Sequence, residues 1–320
     1  MQAIVSAANA PRLRLLKTID SPILLQIEIR GMSTPPKGSV SRVPHWRCLR
    51  DWLSLLRDSN ASAGTATNRK DTSLPEQKTA EPELAPWLTA MAELVQRETQ
   101  PTRLPYPPEI TLRLAVETAP LWQKIERDLK LRYGPPYWAV AWAGGLALAR
   151  HVIDHPALVA GRRVLDFAAG SGIVGIAAAK AGAAVVAASD VDPLAVIAIS
   201  LNADLNGVAI EANVDDLMPA DSGFDPAAFD VVLVGDIFYT PDLAARAIAF
   251  LSRCCAAGCA VLIGDPGRAD LPVDRLEKVD SYEVLVTRDC QFFGAQPQGA
   301  SRQDASGLDL RAANVWRFAR

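Results

Sequence analysis

Residues 164–175 read VLDFAAGSGIVG, an apolar segment that runs into a glycine turn and then into a second apolar segment. This order predicts a β-strand, a tight turn and a helix. Gly170 and Gly172 allow the backbone to approach a ligand closely, and the start of the helix offers unpaired N–H groups. Ligands of open parallel sheets bind at the carboxyl ends of the strands, where this turn lies. The segment therefore predicts a ligand site.

A carboxylate follows the turn at a spacing typical of nucleoside-binding folds. Asp190 ends the next predicted strand, twenty residues after Gly170. In that place a carboxylate can accept hydrogen bonds from two ribose hydroxyls. The GxGxxG pattern at 170–175 occurs with NAD and with S-adenosylmethionine, so these two features leave both cofactors open.

Asp166 favours the cationic cofactor. It lies inside the first predicted strand, four residues before Gly170. A carboxylate there would repel a pyrophosphate but attract the sulfonium and ammonium groups of S-adenosylmethionine. The edge strands near the C-terminus also leave no second cofactor half-site. We therefore predict S-adenosylmethionine; the alternative role of Asp166 is to cap the turn.

Strand and helix patterns alternate on both sides of this turn. Apolar strands separated by helices indicate a parallel sheet covered on both faces. The predicted strands are residues 163–167, 184–189, 208–213, 230–235, 260–264, 282–287 and 312–318, and the predicted helices are 172–181, 193–206 and 241–255. The fold class is α/β, a Rossmann-like seven-stranded sheet, mostly parallel with an antiparallel edge strand and with helices on both faces.

The first ninety residues differ from the rest. Residues 60–83 contain few large apolar side chains, so they bury too little surface to offset their ordering entropy. We predict a largely disordered extension and linker over 1–90, with one helix near 46–57. A helical segment over 91–135 then packs on a catalytic domain over 136–320. Met91 begins the ordered pattern, and we hypothesise that it is the natural start.

Composition excludes several classes of protein. A formal charge of −3 lacks the basic excess of a dedicated nucleic-acid binder, and no apolar run reaches the roughly 18 residues of a membrane span. The five cysteines show no CxxC pairs, which favours a reducing cytoplasm. His151 and His155 have no acidic or cysteine residue at ligand spacing beside them, so no metal site is predicted.

Further blocks carry a family resemblance. They are PYWAVAWAGG at 136–145, SDVDP at 189–193, GDIFY at 235–239, IGDPGR at 263–268 and Val315-Trp316. With the glycine turn, they make the sequence resemble class I S-adenosylmethionine-dependent methyltransferases, and more specifically the lysine methyltransferases of the electron-transfer flavoprotein β-subunit. The resemblance covers residues 104–318. It departs at Ala168, where many relatives carry glycine; alanine is tolerable there if its φ stays negative.

The resemblance implies protein-lysine methylation, with the electron-transfer flavoprotein β-subunit as partner. It gives Asp236 and Tyr239 the catalytic role of positioning the substrate amine, and it places Phe238 and Arg268 on the substrate side. The alternatives are that Asp236 caps the following turn, that Tyr239 only packs, and that Arg268 pairs with Asp265.

The remaining predicted contacts serve the cofactor. The ring of Trp142 suits a sulfonium or an adenine, whereas Trp138 has the same chemistry but is equally a core residue. Asn213 and Asp215 are candidates for binding the adenine amino group, and either could be an ordinary turn residue. The predicted cofactor-binding set is Trp142, Asp166, Ala168, Gly170, Gly172, Asp190, Asn213 and Asp236.

Other functions compete with this interpretation. One is methylation of a small amine, such as a nicotinamide-like ring nitrogen, or of another protein, such as a ribosomal protein. A second is a non-catalytic nucleotide-binding module, against which the presence of Asp166, Asp190 and Asp236 argues. The third is an NAD oxidoreductase, which a comparison of cofactor affinities would separate.

Overall fold

A seven-stranded sheet forms the centre of the computed structural model, which describes residues 12–16, 24–28, 81–129, 132–286, 302–303 and 309–318. The strands of this sheet are β5 (Arg163–Phe167), β6 (Val185–Ser189), β7 (Glu211–Asn213), β8 (Val231–Gly235), β9 (Ala260–Asp265), β10 (Leu276–Val286) and β12 (Asp309–Phe318). The two-residue strand β11 (Arg302–Gln303) pairs with β12. The predicted α/β class and the sheet are confirmed.

The strand order fixes where a ligand can bind. The sheet runs β10-β12-β9-β8-β5-β6-β7. Strands β9, β8, β5, β6 and β7 are parallel, whereas β12 pairs antiparallel with both β9 and β10. The chain leaves β5 towards β6 and later returns on its other side as β8. This reversal opens a crevice at the carboxyl ends of β5 and β8.

Helices cover both faces of the sheet, as predicted. They are α3 (Ala143–Asp154), α4 (Ile173–Lys180), α5 (Pro193–Leu205) and α6 (Pro241–Ala256). Successive strand residues face opposite sides, so Val164 packs with α3 and α4 while Leu165 packs with α6. Two apolar layers with the sheet between them hold the strand ends, and hence the crevice, in place.

The segment before the sheet was predicted to be helical, and it contains a β-hairpin in addition to helices. It contains α1 (Glu81–Glu98), a hairpin of β3 (Thr99–Arg103) and β4 (Thr111–Ala115), and α2 (Thr118–Leu129). Met91 and Ile125 are fully buried in a cluster shared with Leu194 of α5. Helix α1 crosses the predicted boundary between residues 90 and 91 because its apolar face is continuous there, with Leu88 buried like Met91.

Two short antiparallel strands lie within the segment predicted to be largely disordered, namely β1 (Arg12–Leu16) and β2 (Leu24–Glu28). The helix predicted near residues 46–57 falls outside the described residues. Among the helices that are described, none is long and apolar enough to cross a lipid bilayer.

Candidate active site

A cavity of about 450 Å³ occupies the crevice at the carboxyl ends of the central strands. Its size falls within the range of cofactor sites, which is roughly 300–1,000 Å³. Its lining brings together these predicted site residues: Trp142, Asp166, Ala168, Gly170, Asp190, Asp236, Tyr239 and Arg268. The predicted residues Gly172, Asn213 and Phe238 do not line it.

The glycine turn between β5 and α4 forms one wall. Gly170 and Gly172 have φ of +53° and +78°, where a side chain is unfavourable. Gly172 is the N-cap of α4 and makes no side-chain capping bond. The turn therefore presents backbone N–H groups at a helix start, which is an arrangement suited to polar or anionic ligand atoms.

Ala168 corrects an expectation. Its φ is +54°, not negative. The reason is that the chain must turn sharply between the end of β5 and the glycines, while Ala169 donates its N–H to the carbonyl of Ser189 in the neighbouring strand. An alanine in this left-handed region costs about 1 kcal/mol relative to its preferred conformations. The turn is therefore locally strained.

Asp190 holds the glycine turn. Its Oδ2 accepts the N–H of Gly170 at 2.8 Å, and its Oδ1 accepts the N–H of Asp192 at 3.0 Å. Burial raises the pKa of this carboxyl, and the two N–H donors oppose that effect. The side chain predicted to bind a ribose thus also fixes the loop that would surround the ribose.

The sequence reasoning missed a role for Asp192 and Tyr133. Asp192 caps α5 by accepting the N–H of Leu194 at 2.8 Å, and its Oδ1 also accepts the hydroxyl proton of Tyr133. Burial, and then the charge of Asp190, raise the pKa of Asp192 to about 7. The SDVDP block contained the signal, an acidic N-cap before proline; nothing in the sequence linked it to Tyr133.

Asp166 has the capping role that was its alternative. Its Oδ2 accepts the N–H of Gly175 at 2.7 Å, in the first turn of α4, and the residue is 1% exposed. Burial raises its pKa to about 8, with a smaller contribution from the charge of Asp190. Because Asp166 also lines the cavity, it can serve both α4 and a cationic ligand.

The position of Asn213 is a second correction. Its side-chain oxygen accepts the N–H of Asp215 at 3.3 Å, and its carbonyl accepts the N–H of Asp190 at 3.1 Å. Asn213 is therefore a turn residue at the end of the short strand β7. Asp215, the other candidate, lines the cavity.

Aromatic rings form the opposite wall. The ring centroid of Tyr137 lies 5.8 Å from that of Trp142 and 5.5 Å from that of Tyr239. The indole N–H of Trp142 donates to the carbonyl of Tyr137 at 2.8 Å, which fixes the ring. Trp138 is 1% exposed and belongs to the core cluster with α1 and α5, and it also lines the cavity, so both of its alternatives stay open.

Asp236 lies at the junction of β8 and α3. It has a φ of +58°, which aspartate tolerates better than most residues. Its Oδ2 accepts the N–H of Gly145 at 2.7 Å, so it caps α3 across the fold. Burial raises the pKa of its carboxyl, and the guanidinium of Arg268 opposes this effect.

Glycine residues allow the start of α3 to pack closely against β8 and β9. A Cβ on Gly144 would lie 2.2 Å from the carbonyl oxygen of Gly264, and one on Gly264 would lie 2.1 Å from that of Gly144. A Cβ on Gly235 would meet Gly145 at 3.0 Å. The glycines of the 136–145, 235–239 and 263–268 blocks therefore act together as one packing contact.

Arg268 pairs with Asp236 rather than with Asp265. Its Nη2 lies 3.0 Å from Asp236 Oδ1, and both side chains are 8% exposed. Asp265 instead accepts the backbone N–H groups of Gly267 and Arg268, at 2.7 and 2.8 Å. Burial, and then the charge of Asp236, raise the pKa of Asp265 to about 6. The charge of the Arg268 guanidinium lowers the pKa of both carboxyls and so opposes the effect of burial.

Phe238 is a third correction. It is 0% exposed and packs in the apolar cluster under α6, together with Ile237. The left-handed turn at Asp236 directs these two residues into the core. Tyr239, the next residue, returns to the surface at 45% exposure and lines the cavity. Of the two predicted substrate-side residues, Arg268 lines the cavity and Phe238 does not. Burial against the cavity wall raises the pKa of Tyr239 to about 12.

Comparisons with known proteins are consistent with this geometry. Residues 151–241 match the family model described as "Ribosomal protein L11 methyltransferase (PrmA)". A Rattus norvegicus protein described as "Electron transfer flavoprotein beta subunit lysine methyltransferase" is 39% identical over 213 residues, which are 66% of this chain and 77% of the rat protein. Proteins of the same description from Xenopus laevis and Homo sapiens are 36% and 35% identical, and cover 72% and 66% of this chain and 91% and 75% of their own length.

Proposed function

The chain belongs to the electron transfer flavoprotein β-subunit lysine methyltransferase family, and we propose that it uses S-adenosylmethionine to methylate lysine side chains of that flavoprotein subunit. Family membership makes it a protein-lysine methyltransferase. We propose the cofactor, the target and the role of each residue from the geometry of the cleft.

The cleft fits S-adenosylmethionine. Asp190, at the end of β6, offers a carboxylate for ribose hydroxyls. Asp166 offers a second buried carboxylate close to the turn, where a sulfonium or ammonium would be attracted. The fixed indole of Trp142 supplies an aromatic face of the kind that cations prefer. A pyrophosphate would instead meet the carboxylates of Asp166, Asp190 and Asp192 together.

Methyl transfer requires an amine lone pair in line with the methyl carbon, so placement supplies much of the acceleration. When bound, the cofactor supplies an electrophilic methyl group, which the amine nitrogen takes as the carbon–sulfur bond breaks. The residues of this chain must hold the amine, take its proton and exclude water.

Asp236 is suited to hold the incoming ammonium. Its Oδ2 is fixed by the N–H of Gly145, and its Oδ1 faces Arg268 at 3.0 Å. Within the described residues, four buried atoms of this cluster have no hydrogen-bond partner: Oδ1 of Asp236, Oδ2 of Asp265, and Nε and Nη1 of Arg268. The guanidinium can therefore turn to Asp265 when an ammonium takes its place on Asp236 Oδ1.

The carboxylate of Asp236 can also take the proton. Burial raises its pKa, so it is a stronger base than an ordinary aspartate. The rings of Tyr137, Trp142 and Tyr239 cover this end of the cleft, where they can exclude water from the amine.

The observation that carries the proposal is the Asp236 carboxylate, fixed by α3 and Arg268 in the same cavity as the glycine turn. The test uses purified β-subunit, radiolabelled S-adenosylmethionine and mass spectrometry of the labelled product. We expect label on lysine. With Asp236→Asn we expect turnover at least a hundredfold lower, about 3 kcal/mol, because a neutral amide neither attracts the ammonium nor takes its proton.

The matched control is Asp274→Asn, at an exposed position in the short 3-10 helix Val273–Arg275 outside the cavity lining, and it should keep full activity. Label on ribosomal proteins in a lysate, with none on the β-subunit, would contradict the proposed target. Equal losses of turnover and cofactor affinity in Asp236→Asn would contradict its acceptor-side role.

We further propose that the protein works in the cytoplasm. Cys254 and Cys259 are buried thiols, and burial raises the pKa of both, which suits a reducing compartment. Cell fractionation followed by immunoblotting tests this location; recovery of the protein outside the cytosolic fraction would contradict it.

A further inference from the structure

Helix α3 carries a second polar cluster at its far end. The helix begins at the cleft, where Gly145 contacts Asp236, and twelve residues, or about 18 Å, separate its two ends. His151 lies in its last turn, and His155 follows as its C-cap. Two of the three histidines in the chain therefore lie together, at the end of α3 that is remote from the cleft.

The fold adds an acidic residue to this pair. Asp280 of β10 is distant in sequence, but its Oδ2 lies 3.5 Å from Nδ1 of His151. The two imidazole centroids are 4.5 Å apart, and one potential ligand atom from each of the three residues lies within 4.8 Å of the others. The sequence did not point to Asp280, because it follows the histidines by more than a hundred residues. Asp154, which lies between the two histidines in the sequence, is paired with Arg150.

An irregularity in β10 accompanies this arrangement. The pairing of β10 with β12 shifts register between Lys278 and Asp280. A bulge of this kind re-aims the side chains next to it. Tyr282 lies beside Asp280, and its hydroxyl is 2.9 Å from His151 Nδ1 and donates to Asp280 Oδ2 at 3.0 Å.

We propose that His151, His155 and Asp280 form a binding site for a divalent transition-metal ion of the zinc type. Two imidazoles and one carboxylate are donors that Zn²⁺ accepts, and water would complete a tetrahedral set. Tetrahedral bonds of 2.0–2.1 Å need ligand atoms about 3.3 Å apart. The exposed ring of His155 is free to turn by the amount required.

The neighbours of the three ligands leave room for a cation. Metal binding requires neutral imidazoles and a carboxylate. Tyr282 is the polar neighbour that His151 and Asp280 share. On binding, the Tyr282 hydroxyl gives up its contact with His151 and keeps its hydrogen bond to Asp280.

The expected consequence of metal binding is a more stable contact between α3 and the sheet. The ion would join the end of α3 to β10, while the start of α3 holds Asp236. Its function is to hold α3 on the sheet, and it takes no part in methyl transfer. The site is independent of the proposed substrate and cofactor.

The test uses full-length, tag-free protein freed of metal with a chelator. Calorimetry with ZnCl₂ should give one ion per chain, and Co²⁺ should give the visible absorption of a tetrahedral site. His155→Ala and Asp280→Asn should each weaken zinc binding at least tenfold, because even outer-shell changes cost ten- to a hundredfold. Zinc should also raise the melting temperature of the unchanged protein more than that of either variant.

Two controls separate this site from other donors. Cys255→Ser removes a partly exposed thiol, and Asp274→Asn removes an exposed carboxylate; both should bind zinc like the unchanged protein. No binding at 100-fold excess zinc would overturn the proposal. So would binding that is lost in Cys255→Ser but retained in His155→Ala and Asp280→Asn. His155 is exposed, so its variant is expected to fold.

Discussion

The two walls of the cleft are built in different ways. On the glycine-turn side, the fixing bonds join residues near in sequence: Gly175 to Asp166, nine residues apart, and Gly170 to Asp190, twenty apart. On the acceptor side, where Asp236 and Arg268 lie, the N–H of Gly145 donates to Asp236, which is 91 residues away in the sequence. Gly144 and Gly264, which are in close contact, are separated by still more residues. The first wall depends on local geometry and the second on the packing of the whole domain.

The contact of Gly144 with Gly264 should be the most sensitive point. In Gly144→Ala the new Cβ would lie 2.2 Å from a backbone oxygen that cannot rotate away. We expect the free energy of unfolding to fall by about 3 kcal/mol, the upper end of the usual cost of overpacking. Chemical denaturation measures it.

Gly134→Ala is the control, because nothing lies within 4 Å of its Cβ position. It should change stability by less than about 0.5 kcal/mol. If Gly144→Ala changed the free energy of unfolding as little as Gly134→Ala, the acceptor side would not depend on the close approach of Gly144 and Gly264.

Substitutions of Asp190 and Asp236 test whether the glycine-turn side contributes mainly to cofactor binding and the acceptor side mainly to turnover. Asp190→Asn removes a charged acceptor, and we expect the affinity for S-adenosylmethionine to fall by about 1.5–3 kcal/mol. Asp236→Asn should change that affinity less than about threefold, which is under 0.7 kcal/mol. Calorimetry on both variants checks this; matching losses of affinity would remove the distinction between the walls.

The pH dependence of binding tests the buried carboxylates of the turn. The pKa of Asp166 is about 8 and that of Asp192 about 7 when no ligand is bound. Both lie above the unfolded values, so the folded protein binds these protons more tightly and should lose stability as pH rises from about 4 through 8.

A cationic ligand favours the ionised forms, so affinity for S-adenosylmethionine should rise between pH 6 and 8. If binding releases one proton, the affinity can rise by at most tenfold per pH unit, which is about 1.4 kcal/mol. Calorimetry in buffers of different ionisation enthalpy counts the protons. Asp166→Asn should flatten the profile; an unchanged profile would show that Asp166 does not titrate on binding.

The smallest expected effect concerns the strain in the turn. Ala168→Gly should relieve a φ of +54° and raise the free energy of unfolding by about 0.5 kcal/mol or less, because the added entropy of the unfolded glycine offsets part of the strain. Thermal and chemical denaturation measure it. A loss of stability would mean that the alanine methyl group contributes more by packing than the conformation costs.

Local sequence signals predicted much of this protein. The apolar runs located six of the seven strands within three residues, whereas β10 begins at Leu276, six residues before its predicted start. The bounds of β5 were predicted correctly because strand, turn and helix follow one another without interruption. The same signals predicted the glycine turn, Asp190 and the antiparallel edge pair. Hydrogen bonds over a few residues and the spacing of apolar side chains fix these features, and both can be read along the chain.

The tertiary structure alone decided the rest. It turned Phe238 into the core, gave Ala168 a positive φ, kept Asn213 out of the cavity and paired Arg268 with Asp236. It also brought Asp280 to the two histidines. Each of these outcomes depends on how closely elements far apart in sequence approach one another, and that distance is set by the packing of the entire sheet and its helices, which no local pattern contains.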